Sequence, residues 1–269
     1  MILLKIKEYF KAPSLDQAYT ALLEDDSNIL IAGGAWLRQS NKQVNKAIDI
    51  TMIGLNEITA TDNTIEIGAM ASLRQIETSE IISKQFNGIL SNAVGKIMGI
   101  PIRNIATIGG SIMGKYSFSD VLTPLLVMDV SLIFYNYGEI SLEEFMQIKK
   151  FQKDILTKIV IKKEQGKGYF HKLAKTSLDF AVINVAISKG DTFKIAIGAR
   201  PSVSTKCYKA MEYINEFKVI TNEVIEDTVE IAIEETKFGT SSRASSEYRA
   251  DVAKAYIIRG LKEVFSNEG

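Results

Sequence analysis

Apolar and polar positions along the chain follow two rhythms, one helical and one strand-like, and their order predicts the elements. Ser-Leu-Asp-Gln at 14–17 forms a capping box, and Leu15, Ala18, Leu22 and Leu23 follow at helical spacing, so a first helix begins there. The apolar run at 28–32 stops at Gly33 and Gly34, and 47–50 reads as another short strand, giving a small β-α-β opening. Residues 64–68 alternate as a strand, and 81–97 reads as one helix with Ile82, Phe86, Leu90 and Val94 on one face. Strands at 130–134 and 139–142 flank Asn136-Tyr137-Gly138, a hairpin-like punctuation, and 155–161 is a further strand.

The polar, glycine-bearing stretch KKEQGK at 162–167 marks an expected domain boundary. One domain covers residues 1–165, in subdomains of about 1–55 and 56–165, and a second covers 166–269. Beyond the boundary, 169–174, 181–188 and 192–197 read as three strands, the last two joined by Lys189-Gly190-Asp191, which suggests an antiparallel sheet. Helices are expected at 204–215, 222–235 and 246–265; in the last, Val252, Ala255, Tyr256, Leu261 and Phe265 occupy overlapping faces.

With 269 residues, 46% of them apolar, the chain can bury a substantial core. Its 32 basic and 32 acidic side chains cancel, so no overall field draws it to nucleic acid or anionic lipid. The single cysteine, Cys207, cannot by itself hold an iron–sulfur cluster or build a thiolate zinc site. With only one histidine, His171, a conventional transition-metal site is not expected, nor is a hydrolase triad, since no nucleophile elbow surrounds Cys207. Cys207 reads as a small buried residue at a helix start, and His171 as a strand-end surface residue. No apolar run is long enough to span a membrane, and the opening MILLK is too short and too soon charged for a signal peptide, so a cytoplasmic location is expected.

The stretch GGSIMGKY at 109–116 nearly spells a nucleoside-triphosphate loop, but Tyr116 replaces the metal-binding hydroxyl and residues 102–107 place polar groups in the supposed strand. Two glycine pairs, AGGA at 32–35 and TIGGS at 107–111, could bring successive backbone N–H groups to one pyrophosphate from both sides, or be ordinary tight turns. Asp120 could accept from ribose hydroxyls or be a solvent-facing helix cap. No G-x-G-x-x-G follows the first strand, so a Rossmann site is unsupported.

The string IRNIATIGGSI at 102–112, followed by Ser119-Asp120 and an apolar helix with Pro124, resembles the FAD-binding medium subunits of molybdenum hydroxylases, the xanthine dehydrogenase and carbon monoxide dehydrogenase family. The likeness runs through AGGA at 32–35, the I-x-I-G-A strand at 65–69 and Ser246-Glu247-Tyr248-Arg249, and so covers essentially the whole chain. Ser111 stands where the family usually has asparagine.

The resemblance implies an α+β protein: a vanillyl-alcohol-oxidase (PCMH)-type FAD domain in two α/β parts, then a C-terminal domain like that of the CO dehydrogenase flavoprotein, with a three-stranded antiparallel sheet and a helix bundle. It implies FAD contacts from Leu30, Ile31, Ala32, Gly33, Gly34, Ala35, Trp36 and Leu37, and from Thr107, Ile108, Gly109, Gly110 and Ser111, around the pyrophosphate. Asp120 would hold the ribose or ribityl region, with Leu156 and Lys172 near the adenine and isoalloxazine ends. It further implies electron transfer as an oxidoreductase subunit, with a [2Fe-2S] subunit and a molybdopterin subunit as partners and NAD or another acceptor downstream. A free-standing flavin-binding protein or flavin oxidase without molybdenum partners is the other expectation to be weighed.

Overall fold

The computed structural model describes residues 4–37 and 40–265; residues 1–3 of the opening MILLK lie outside the described residues. The first quarter of the chain forms β1 (Lys5–Lys11), α1 (Leu15–Leu23), β2 (Ile29–Ile31), β3 (Gln43–Asp49), β4 (Ile58–Ala60) and β5 (Thr64–Gly68). Six short helices follow: α2 (Leu73–Thr78), α3 (Glu80–Ser83), α4 (Ile89–Gly95), α5 (Ile100–Ile105), α6 (Ile108–Met113) and α7 (Leu122–Leu126). Next come β6 (Val130–Phe134), β7 (Gly138–Ser141), α8 (Leu142–Gln147), β8 (Leu156–Lys162), β9 (Lys167–Ala174), β10 (Ala181–Lys189), β11 (Phe193–Gly198) and β12 (Thr205–Lys206). The chain closes with α9 (Tyr208–Asn215), α10 (Asn222–Glu235) and α11 (Ser246–Phe265).

Two compact units result, and the chain passes between them several times. The first takes Met1–Gln75, Ile100–Gly114 and Val130–Ile161; the second takes Ile76–Gly99, Lys115–Asp129 and Lys162–Gly269.

In the first unit, β1, β3 and β2 make a parallel sheet in that order. The edge strand β1, KIKEYFK, is almost entirely exposed, so it lacks the apolar run that marks β2 and escapes the hydrophobic pattern. Helix α1 starts as expected, Ser14 Oγ accepting the Gln17 N–H at 3.3 Å. It buries Ala18, Ala21 and Leu22 against Ile48, Ile50 and Ile155. Leu23, assigned to that face, is instead 51% exposed, because one residue past Leu22 the helix has already turned outward.

A second sheet in this unit runs β4-β5-β8-β6-β7. The β6–β7 hairpin turns through Gly138 at φ +85°. Asp154, buried just before β8, accepts the N–H groups of Asn136 (3.1 Å), Tyr137 (2.7 Å) and Ile155 (2.7 Å), tying hairpin and strand together. Phe151 stands beside it, with ring centroids 4.5 Å from Phe134, 5.1 Å from Tyr137 and 5.2 Å from Phe145.

The second unit has an antiparallel sheet in the order β12-β11-β10-β9. Its three long strands lie where the sequence pattern puts them, and two-residue β12 adds a fourth at the edge. That pairing, Thr205 with Ile197 and Lys206 with Ala196, delays the helix expected from 204, so α9 begins at Tyr208. Ile183, Val185 and Ile187 of β10 share a core with Val229 of α10 and Ala253, Ile257 and Leu261 of α11.

The single helix read over 81–97 is broken. Phe86, Asn87 and Gly88 take φ of +46°, +55° and +71° between α3 and α4. Ile82, Phe86, Leu90 and Val94 are nonetheless all buried. Tertiary packing explains the break: the Phe86 carbonyl abuts Gly168 of β9 so closely that a Cβ there would stand 2.4 Å from its oxygen. Among the described residues no helix is long and apolar enough to cross a membrane.

Asp154→Ala leaves the N–H groups of exposed Asn136 and Tyr137 and of buried Ile155 without this acceptor. Urea unfolding should register a loss of about 2–3 kcal/mol, and a loss below about 0.5 kcal/mol would mean that water replaces the carboxylate.

Candidate functional site: a cavity beside the second glycine segment

A cavity of about 420 Å³ opens in the first unit, inside the roughly 300–1,000 Å³ range of small-molecule clefts. Leu30 and Ala32 of the first glycine segment, Gly109 and Gly110 of the second, and Leu156 of β8 all line it, together with Asn28, Ile29, Met70, Met113, Phe151, Lys153 and Asp154. Fold topology thus gathers residues that the sequence separates by more than a hundred positions. Residues 31–37, including Ile31, Trp36 and Leu37, are all partly exposed, and Ile108 is fully buried.

The two glycine segments are built differently. Gly34 takes φ +63°, with open space where a Cβ would stand. Among the described residues no acceptor takes the N–H of Gly33, Gly34 or Ala35, so this turn presents unengaged donors. The second segment is the first turn of α6, capped by Thr107, and its glycines are helical. Its amides are already engaged: Ile108 N–H donates to Ala71 O (3.0 Å), Gly109 N–H to Ala69 O (2.9 Å), Gly110 N–H to Thr107 Oγ1 (3.1 Å) and Ser111 N–H to Thr107 O (3.1 Å). Ser111 Oγ donates back to Thr107 O at 2.9 Å.

A Cβ on Gly109 would lie 2.6 Å from Ala69 O and 2.8 Å from Ala69 Cβ, whereas on Gly110 it would meet only Thr107 Oγ1, at 3.1 Å. Gly109 therefore serves close backbone packing, and Gly110 leaves room beside the cavity. A triphosphate loop is excluded by this geometry, since α5 and not a strand precedes the segment.

Asp120 and Lys172 meet in the second unit, Nζ to Oδ2 at 2.7 Å, with both side chains 5% exposed. Asp120 is therefore no solvent-facing cap. Asn184 Nδ2 donates to Asp120 Oδ1 at 2.7 Å, and Lys172 also donates to Lys96 O at 2.9 Å. Burial holds the Asp120 carboxyl above the ordinary carboxylate range, against the downward pull of Lys172, Asn184 and Lys96.

His171 lies in mid-strand on β9, paired with Val185, rather than at a strand end, because β9 runs back to Lys167. Its ring centroid is 4.4 Å from that of Tyr256. Burial, then Lys96 and Arg259, lower its pKa. Cys207 is the buried N-cap of α9, as expected, and burial pushes its thiol up to about 12.

The profile described as "FAD binding domain in molybdopterin dehydrogenase" matches residues 4–163, more than half the chain. The chain belongs to this family. The flavoprotein's residues 168–264 also match the CO dehydrogenase flavoprotein C-terminal domain. The flavoprotein is 25% identical to a glyceraldehyde dehydrogenase medium chain of Sulfolobus acidocaldarius, over 95% of its own length and 97% of the relative's. It is 23% identical to a xanthine dehydrogenase FAD-binding subunit of Escherichia coli O157:H7, over 97% of each chain. A chain in the structure of carbon monoxide dehydrogenase from Hydrogenophaga pseudoflava shares its fold, with a TM-score of 0.89, 22% identity and 99% of each chain covered.

The flavoprotein is thus a medium, FAD-binding subunit of the molybdenum hydroxylase type, an oxidoreductase component whose cofactor is FAD. The cavity fits such a group. It offers an apolar wall from Leu30, Met70 and Leu156, small residues at Ala32 and Gly110, and polar edges at Asn28, Lys153 and Asp154. Sequence reasoning missed Asn28, Phe151, Lys153 and Asp154, since KKFQKD at 149–154 has the composition of a solvated loop. The signal present there was an aromatic among lysines followed by an acid at a strand start. Lys153 is tied down by donating to Leu22 O (3.3 Å), Asp25 O (2.6 Å) and Asn28 O (3.5 Å).

Gly109→Ala should lower stability by about 1–3 kcal/mol through backbone overpacking, whereas Gly110→Ala should leave it unchanged or raise it by up to about 1 kcal/mol; thermal and urea unfolding would check both. For His171, whose folded pKa lies below its unfolded value of about 6.5, the unfolded state takes up the proton first as pH falls. Its share of stability is intact above about pH 6.5 and declines below it, so His171→Gln should flatten the urea-midpoint profile below about pH 6.5 relative to the unaltered chain.

Proposed function

We propose that this flavoprotein is the electron-transfer subunit of a three-part molybdopterin-dependent dehydrogenase, with an iron–sulfur [2Fe-2S] subunit and a molybdopterin-binding subunit as partners, acting in the cytoplasm. The observation that carries the reading is the convergence of Leu30, Ala32, Gly109, Gly110 and Leu156 on one cavity. When bound, FAD supplies one- and two-electron exchange, suited to receiving electrons from an iron–sulfur subunit and passing them to NAD or another acceptor.

The chain's own residues bind and orient the cofactor. We assign the turn from Gly33 to Ala35 to the pyrophosphate, since its amides have no acceptor among the described residues. Ile31, Trp36 and Leu37 complete that segment, while Thr107, Ile108, Gly109 and Ser111 shape and hold the α6 turn, which leaves space at Gly110. Leu156 serves the adenine end, Asp120 the ribose or ribityl hydroxyls and Lys172 the isoalloxazine end. The domain division that accompanies this reading is 1–165 for the FAD-binding part and 166–269 for the C-terminal part.

The purified chain, given FAD and freed of excess, should keep a two-banded flavin spectrum and release FAD rather than FMN. A colourless protein would count against the reading. Gly110→Leu, whose added side chain extends from a residue lining the cavity, should stay folded and weaken FAD retention at least tenfold, an effect of about 1.4 kcal/mol or more. Co-expression with iron–sulfur and molybdopterin subunits encoded beside it should yield one complex, whereas recovery of the chain alone would favour a free-standing flavoprotein.

A further inference from the structure

A row of buried polar side chains in the second unit ends on Asp120. The Ser204 and Thr123 hydroxyl oxygens are 2.7 Å apart, Thr123 Oγ1 is 2.8 Å from Asn184 Oδ1, and Asn184 Nδ2 is 2.7 Å from Asp120 Oδ1. Thr123 and Asn184 are fully buried and Ser204 is 3% exposed.

Valence sets the direction of these bonds. Asn184 Nδ2 places its two hydrogens on Asp120 Oδ1 and on Ser119 O, at 3.1 Å, so the amide oxygen faces Thr123. Thr123 donates its one hydrogen to that oxygen; Ser119 O, at 3.3 Å, is the more distant acceptor. Ser204 then donates to Thr123. Every donor points toward the carboxylate, the arrangement in which each bond polarises the next. Gly198 of β11 makes room for it: a Cβ there would stand 2.2 Å from Thr123 Oγ1, 2.3 Å from Asn184 Oδ1 and 2.6 Å from Ser204 Oγ.

The Lys172 ammonium meets only Oδ2 of the carboxylate, and one such contact from a point charge does not by itself fix the carboxylate plane. Asn184, held in one orientation by Thr123 and Ser204, supplies the second constraint. We propose that Asn184, Thr123 and Ser204 are positioning residues that hold Asp120 in the orientation with which it meets FAD. This rests on the assignment of Asp120 to the cofactor made above.

FAD titration of the full chain, followed by flavin fluorescence and absorption alongside thermal unfolding, tests the role with two complementary variants. Thr123→Val keeps the shape and removes the hydroxyl; Thr123→Ser keeps the hydroxyl and removes a methyl. Thr123→Val should weaken FAD binding about tenfold and shift the flavin bands, while Thr123→Ser stays within about threefold of the unaltered chain. Equal weakening by both would assign Thr123 to packing and overturn the inference, as would unchanged affinity in Thr123→Val. If Thr123→Val fails to fold, Ser204→Ala gives the same reading, with affinity down several-fold expected and no change overturning it. Asp120→Ala separates the two levels: if it leaves FAD affinity unaltered, the assignment of Asp120 falls and the positioning role with it. If Asp120→Ala weakens binding and Thr123→Val does not, the assignment stands and this inference alone falls.

Discussion

The first unit depends on one close approach, that of the α6 turn to the backbone after β5. Gly109 N–H donates to Ala69 O, Ile108 N–H to Ala71 O, and Leu73 N–H to Ala106 O, an interlock of three bonds around a residue without a side chain. A Cβ at Gly109 would break it. Because the interlock holds both glycines at the end of β5, the cavity wall stands where the strand leaves it, and Leu30, Ala32 and Leu156 need only complete it. The same bonds engage the helix amides, whereas the N–H groups of Gly33, Gly34 and Ala35 have no acceptor among the described residues, although Gly33 itself packs against the Ile105 carbonyl so closely that a Cβ would stand 1.3 Å from its oxygen.

The second unit is organised around a buried charge pair. Taking Asp120 and Lys172 out of water carries a desolvation penalty of several kcal/mol per ion, offset only where the partner geometry and hydrogen bonds are good. Here the second carboxylate oxygen has Asn184, and the ammonium has the Lys96 carbonyl as well. Arg249 is treated in the same way without a carboxylate: its guanidinium donates to the carbonyls of Val182 and Ala199 and to Ser241 Oγ, joining β10 to the residue after β11. Both arrangements bury charge, the first as an ion pair with further hydrogen bonds and the second against carbonyl and hydroxyl dipoles, and so both favour a single packing.

Much of this was legible along the chain, and what was not has identifiable physical causes. The strands from 64, 130, 181 and 193 and the helices at 222–235 and 246–265 announce themselves because one face of each is apolar and local turn chemistry bounds it. Strand β1 did not, since an exposed edge carries no apolar run. The helix read over 81–97 had the right buried residues and the wrong backbone, because periodicity reports which side chains face the core and not the contact between Phe86 and Gly168 that bends the chain. The glycine segments at 32–35 and 107–111 stood out by composition. Their division of labour did not, since whether an amide is engaged depends on Ala69 and Ala71, far from Gly109 in sequence. Phe151, Lys153 and Asp154 were hidden by the lysine-rich composition around them, in which Lys153 turns out to donate to the carbonyls of Leu22, Asp25 and Asn28.

Cys207 gives the molecule an unplanned property. Its sulfur is fully buried in the core of the second unit, 3.8 Å from Thr236 Oγ1, and burial suppresses the thiolate that alkylating reagents need. As the chain's single cysteine, it reacts only when that core opens. The rate of its modification by a thiol reagent is therefore a built-in clock for opening of the C-terminal sheet and helices, read at one known atom and without any label having to be introduced.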